Sequence, residues 1–141
     1  MSAGRTLFEF VRFWSRRGGS ARGRDVLVCE TVHALRDRPE VTVNDVAAEL
    51  GLDQSGASRM VTHAVDQGFL AAHPSGADAR RRAVTVTAAG ARLLADAHRW
   101  QDEVFASLTD DWTGDERAAF ERAMLRLLDR SRSGVPPASH G

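Results

Sequence analysis

Three arginines stand side by side at Arg80, Arg81 and Arg82, just after Asp78. Adjacent guanidinium groups repel one another and add nothing to a fold. A phosphate backbone or a narrow minor groove offsets that repulsion. Asp78 is placed to hold the Arg80 guanidinium in one orientation, which lowers the entropy lost on insertion. Upstream, Gln54, Ser55, Ala57, Ser58 and Arg59 follow the turn Gly51-Leu52-Asp53. Small polar residues at the start of a helix let its backbone approach DNA closely. Gln pairs bidentately with adenine and Arg with guanine. Ser55 and Ser58 suit phosphate or single-bond contacts, and His63, one turn further on, is within reach of a phosphate. Gly56 inside this helix costs about 1 kcal/mol relative to Ala; a colliding partner or a tight helix crossing would explain it. The plainer readings are a solvated basic loop and an ordinary bundle turn. Taken together, the two motifs favour DNA contact.

Other chemistries are poorly provided for. The chain has 141 residues and balances 19 basic against 19 acidic side chains, with every base an Arg and no Lys or Tyr. Without Lys there is neither a phosphate-loop motif nor a Schiff-base nucleophile. The single Cys29 excludes an intrachain disulfide and a cysteine-rich metal centre. It sits among Val28, Glu30 and Val32 with nothing to lower its pKa, so a buried structural thiol is expected. His98 and Asp102 read as a solvated pair, not as metal ligands. No nucleophile–base constellation is present. No enzyme activity, metal or cofactor is therefore expected. No apolar run approaches a membrane span, and Met1 to Arg5 does not read as a signal peptide. A soluble, cytoplasmic protein without membrane contact is expected. Zero net charge still allows nucleic-acid binding where positive charge is focused on one face.

The positioning elements follow from periodicity and breakers. Thr6 to Arg16 reads as a short amphipathic helix with Leu7, Phe8, Val11 and Trp14, broken by Gly18, Gly19 and Gly23. Asp25 to Asp37 resumes a helix, ended by Pro39. Val41 to Val43 suits one edge strand. Asn44 is the expected N-cap of a helix carrying Val46, Ala47 and Leu50 inward, and Gly51 its C-cap. Asp53 caps the next helix, Gln54 to Gln67. Phe69–His73 and Ala83–Val86 read as a hairpin with a long charged tip. Thr87 caps a helix to about Trp112, with Leu93, Ala97, Trp100, Val104, Leu108 and Trp112 on one seam. Thr113 and Glu116 form a capping box for a last helix with Phe120, Ala123, Met124, Leu127 and Leu128 inside. Residues 133–141 read as a disordered tail.

Three stretches resemble the MarR family of winged helix-turn-helix transcription regulators. They are Val41 to Ala47 with Leu50-Gly51-Leu52, Asp53 to Arg59 on to Gln67-Gly68-Phe69-Leu70, and Asp78 to Arg82 with Val84-Thr85-Val86-Thr87 and Gly90. The resemblance implies a mainly α fold with a small β-wing. Residues 39–87 would be the DNA-binding lobe, and 1–38 with 88–132 a helical dimerisation region. It implies a bacterial homodimeric repressor straddling a palindromic operator. Gln54, Ser55, Ser58 and Arg59 would read the major groove. Arg80 would enter the minor groove, supported by Asp78, with Arg81 and Arg82 on phosphates. A small aromatic or anionic effector is implied, with Phe13, Trp14, Arg17, Cys29 and His33 as candidate pocket residues. A core Trp beside a surface Arg is the plainer reading of that group. A winged-helix protein-interaction module, its basic wing docked on an acidic protein, is the alternative to DNA binding.

Overall fold

The computed structural model describes residues 1–17 and 20–134. The expected breaks at Gly18 and Gly19, and all but the first two residues of the expected tail, lie outside that range. Among the described residues the elements are α1 (Ala3–Ser15), α2 (Ala21–Ala34), α3 (Val43–Leu50), α4 (Gln54–Asp66), β1 (Leu70–Pro74), β2 (Arg82–Val86), α5 (Ala88–Leu108) and α6 (Gly114–Arg132). The chain divides into two compact units, Met1–Arg99 and Trp100–Gly141, with the boundary inside α5. The fold is mainly α with a β-wing, as the resemblance implies.

Capping sets the helix starts. Ser2 caps α1 through the Arg5 N–H, so the helix begins before Thr6. Ser20 caps α2 through the Gly23 N–H at 3.1 Å. Gly23 therefore belongs to the first turn of a helix instead of breaking one. The cap of α3 is Thr42, not Asn44: the Asp45 N–H donates to Thr42 Oγ1, and the Thr42 N–H to Asp45 Oδ2 at 2.9 Å. Two orphan donors are satisfied at once, which draws Val43 and Asn44 into the helix. The expected strand at 41–43 shrinks to one bridge, Thr42 with Ala83, and a 2.8 Å bond from the Val84 N–H to the Val41 carbonyl. Gly51 ends α3 in the left-handed region, at φ 65°, a conformation Gly adopts without a Cβ penalty.

The core of the first unit is built from short side chains. Val28, Cys29 and Val32 of α2 meet Val43, Val46 and Ala47 of α3 and Ala57, Val61 and Ala64 of α4. Leu70, Val84, Leu93 and Leu94 close it from the wing and α5. The strands β1 and β2 pair antiparallel from Leu70 opposite Val86 to Pro74 opposite Arg82.

The start of α5 is pressed onto the chain leaving α4. The Thr87 N–H donates to the Phe69 carbonyl at 3.1 Å, and Thr87 Oγ1 donates to the Gly68 carbonyl at 2.6 Å. The same hydroxyl oxygen accepts the Gly90 N–H, completing the cap expected of Thr87. A Cβ on Gly90 would lie 2.1 Å from the Phe69 carbonyl oxygen, so only Gly fits.

In the second unit α5 stops at Leu108, short of Trp112. The buried Thr109 turns the chain, and its carbonyl accepts Nε and Nη2 of Arg117 at 3.0 and 2.8 Å. The Thr113–Glu116 capping box starts α6 as expected. Phe105 stacks on Phe120, and Trp112 meets Phe120 edge-on. The α6 residues expected inside are exposed, and of the α5 seam, expected to serve a dimer interface, only Leu93 is buried. Leu108, Phe120, Met124, Leu127 and Leu128 are all exposed, as is Trp100. Within the unit, one helix and part of another cannot enclose apolar residues on both.

Replacing Gly90 by Ala is expected to cost about 1–3 kcal/mol through overpacking against backbone. A lowered urea midpoint at unchanged m would register it, and an unchanged midpoint would contradict the close approach.

Candidate nucleic-acid interface

The first turns of α4 are fastened at one side only. Ala57, Val61 and Ala64 are fully buried, while Gln54, Ser55 and Arg59 are exposed and Ser58 is half-buried. Asp53 caps the helix, accepting the Gly56 N–H at 2.7 Å. A Cβ at Gly56 would first meet that same carboxylate, 2.9 Å away. Among this chain's own atoms the tight neighbour of Gly56 is thus its N-cap, not a crossing helix. On the far side, His63 Nδ1 lies 2.7 Å from Asp25 Oδ1, whose side chain is buried in α2. His63 therefore has a partner on α2.

The wing is anchored from outside the hairpin. Ser75 is buried and donates its hydroxyl to Glu40 Oε2, while Glu40 Oε1 accepts the Gly76 N–H at 3.1 Å. The Ser75 oxygen in turn accepts the N–H groups of Ala77 and Asp78. The Ser75 N–H donates to the Arg81 carbonyl at 2.8 Å, closing the loop. Sequence reading missed Glu40, which stands 35 residues from Ser75 with no local signal.

The loop separates its three arginines. Asp78 Oδ1 accepts the Arg80 backbone N–H at 3.0 Å and Arg80 Nε at 3.5 Å, yet the Arg80 side chain is 93% exposed. Arg81 Nε lies 3.7 Å from the other Asp78 oxygen. Arg82 turns away: its Nη2 donates to Ser58 Oγ and Thr62 Oγ1 of α4, each at 3.2 Å. Wing and helix are thereby joined by a side chain expected on phosphate. Thr62, absent from the sequence-based candidates, completes that contact.

The candidate effector residues are dispersed. On α1, Phe13 packs edge-on against Trp14 at 5.4 Å, and the guanidinium of Arg17, just beyond the helix, lies 3.5 Å over the Phe13 ring. Cys29 is in the core. His33 lines a cavity of about 350 Å³ with Arg36, Arg38, Val41, His73 and Val84. Of the five candidates only His33 lines that cavity. His98 contacts Glu30 of α2, so it is not merely a solvated partner of Asp102. Among the described residues no cluster of three or more metal-ligating side chains occurs, and no helix is long and apolar enough to cross a membrane.

Comparison with known proteins agrees with this geometry. Residues 25–81 match the MarR family. This segment is similar to MarR-family sequence. The matched span takes in α2 to α4 and the wing through Arg81. Over most of its length the chain shares its fold with solved MarR-type structures. Wild-type apo MarR from E. coli superimposes with a TM-score of 0.65 at 20% identity, covering 91% of this chain and 97% of that one. A MepR mutant from S. aureus, bound to an oligodeoxyribonucleotide, gives 0.60 at 14% identity over 92% and 99%. The PcaV regulator of Streptomyces coelicolor, in complex with its natural ligand, gives 0.52 at 22% identity over 76% and 74%. No curated protein matches the sequence.

Burial, with the nearby carboxylates of Asp25 and Glu30, pushes the Cys29 thiol up from 9.0 to about 11. The thiolate is the reactive form, so alkylation at pH 8 should proceed only as the chain unfolds. A raised folded value makes the contribution to stability full below pH 9 and lost as the pH rises towards 11. Urea titrations across that window check the sign; a native thiol as reactive as free cysteine would contradict it.

Proposed function

We propose that the protein is a DNA-binding transcriptional regulator. It binds duplex DNA as a homodimer, with α4 in the major groove and the wing loop over the adjacent minor groove. The observation that carries this reading is Arg80. Its guanidinium projects from the loop almost wholly exposed, while Asp78 fastens its base through backbone and side chain. An exposed, oriented arginine at a wing tip has no fold-stabilising work to do, and it suits a narrow minor groove. Gln54, Ser55, Ser58 and Arg59 face the major groove in this arrangement, and Arg81 meets a phosphate.

Residues 39–87 form the DNA-binding lobe, and 1–38 with 88–132 the dimerisation region. The support is the exposed apolar side chains of α1, α5 and α6, among them Phe8, Phe10, Leu108, Leu125 and Leu127. Large exposed apolar side chains on each of these helices suit association with a second copy. A two-fold dimer then requires a palindromic operator with half-sites about one helical turn apart. Repression follows from occupying that operator, and a small aromatic or anionic effector that alters lobe spacing would relieve it. The oligonucleotide-bound MepR and ligand-bound PcaV structures support the two partner classes. No enzymatic role is assigned.

In fluorescence anisotropy, the wild-type protein is expected to prefer a duplex from its own upstream region over a scrambled one, with steep salt dependence. Arg80→Ala is expected to weaken that binding by about 1–3 kcal/mol, and unchanged affinity would remove the wing assignment. Sedimentation should give twice the 15.4 kDa chain mass. A Leu127→Glu variant should shift it towards monomer; a monomeric wild-type chain would remove the dimer.

A further inference from the structure

Serine and threonine hydroxyls on a helix usually spend their proton on the carbonyl one turn back. Thr31, Thr109 and Ser131 do so here, each at 2.8 Å. Ser58 and Thr62 make no such bond among the described residues. Their oxygens instead accept from Arg82 Nη2. A guanidinium offers donors only, whereas a hydroxyl has one proton and two lone pairs. With its oxygen facing Arg82, the Ser58 hydroxyl has a lone pair engaged and its proton unspent.

From this we infer that Arg82 is a positioning residue that sets Ser58 as a hydrogen-bond donor towards base-edge acceptors in the major groove. The inference rests on the DNA-binding reading above. It departs from the expectation that Arg82 neutralises a phosphate. Acceptors presented in that groove are guanine O6 and N7, adenine N7 and thymine O4. The cytosine amino group, a donor, could use only the one lone pair that Arg82 leaves free. Arg82 thus biases the Ser58 position towards acceptor edges over cytosine without touching DNA itself. It also pins β2 to α4, so the wing and the reading helix keep one mutual angle.

Arg81 supplies a control of equal charge on the same loop. The test measures affinity for a duplex that the wild-type chain selects from a random pool, and for a scrambled duplex, across salt concentrations. Arg81→Met should weaken both duplexes and reduce the slope of log affinity against log salt by about 0.9. Arg82→Met should weaken only the selected duplex, by about three- to tenfold, with the slope unchanged. Ser58→Ala, checked for an unchanged urea midpoint, should cause a similar loss. Adding Arg82→Met to it should cost little more, because contacts acting through one group are not additive. Arg82→Lys, retaining a donor, should recover part of the selectivity. The inference is overturned if Arg82→Met lowers the slope and weakens both duplexes alike, or if its effect multiplies with that of Ser58→Ala. A wild-type chain that selects no duplex overturns the DNA-binding reading itself, and this inference with it.

Discussion

The candidate interface depends on one carboxylate. Glu40 accepts both the Ser75 hydroxyl and the Gly76 N–H, and so ties the start of the wing loop to the segment entering α3. Two five-residue strands are marginal on their own. Their loop, with three cationic side chains, has every electrostatic reason to spread. Ser75 turns that single anchor into a network by accepting the N–H groups of Ala77 and Asp78. Asp78 is thereby presented to Arg80 and Arg81. Remove the carboxylate and the buried Ser75 hydroxyl loses its acceptor, a loss that a partly satisfied buried network tolerates poorly.

Local signals were legible in the sequence where their physics is local. Gly51, Asp53 and Thr113 each act within a turn of their own position, and each does in the structure what its type requires. Asn44 misled because a better competitor lay two residues upstream: Thr42 with Asp45 satisfies two donors where Asn44 would satisfy one. The partners of Arg82, Ser75, His63 and His98 were not legible. They lie 24, 35, 38 and 68 residues away along the chain, and only the packed fold brings them together. The types of the candidate site residues could be read from sequence, but not which of them were already engaged with one another.

The distribution of side-chain size inverts the usual arrangement. Apart from Leu70, the largest fully buried residues are valines and Cys29. Phe8, Phe10, Phe13, Trp100 and Phe120 are exposed. The periodicity of α5 and α6 was correct as periodicity, yet it does not describe a core closed within one chain. A stripe records that a face is to be buried, without recording by what. That ambiguity is intrinsic to reading amphipathic helices, and it explains why the apolar face of α6 was expected inside.

Helix α4 is a cantilever. Its inner face is clamped by Ala57, Val61 and Ala64, and its far half by His63 on Asp25. Gln54, Ser55 and Arg59 project from the free end and take no part in the core. Exchanging surface residues of this kind changes stability by only about 0.5 kcal/mol either way. Their identities can therefore drift through neutral substitution with little effect on folding. On the proposed DNA-binding reading, the same scaffold can acquire a new preference at its free end without first being rebuilt, and duplicated copies of such a chain can diverge in what they recognise while remaining equally stable.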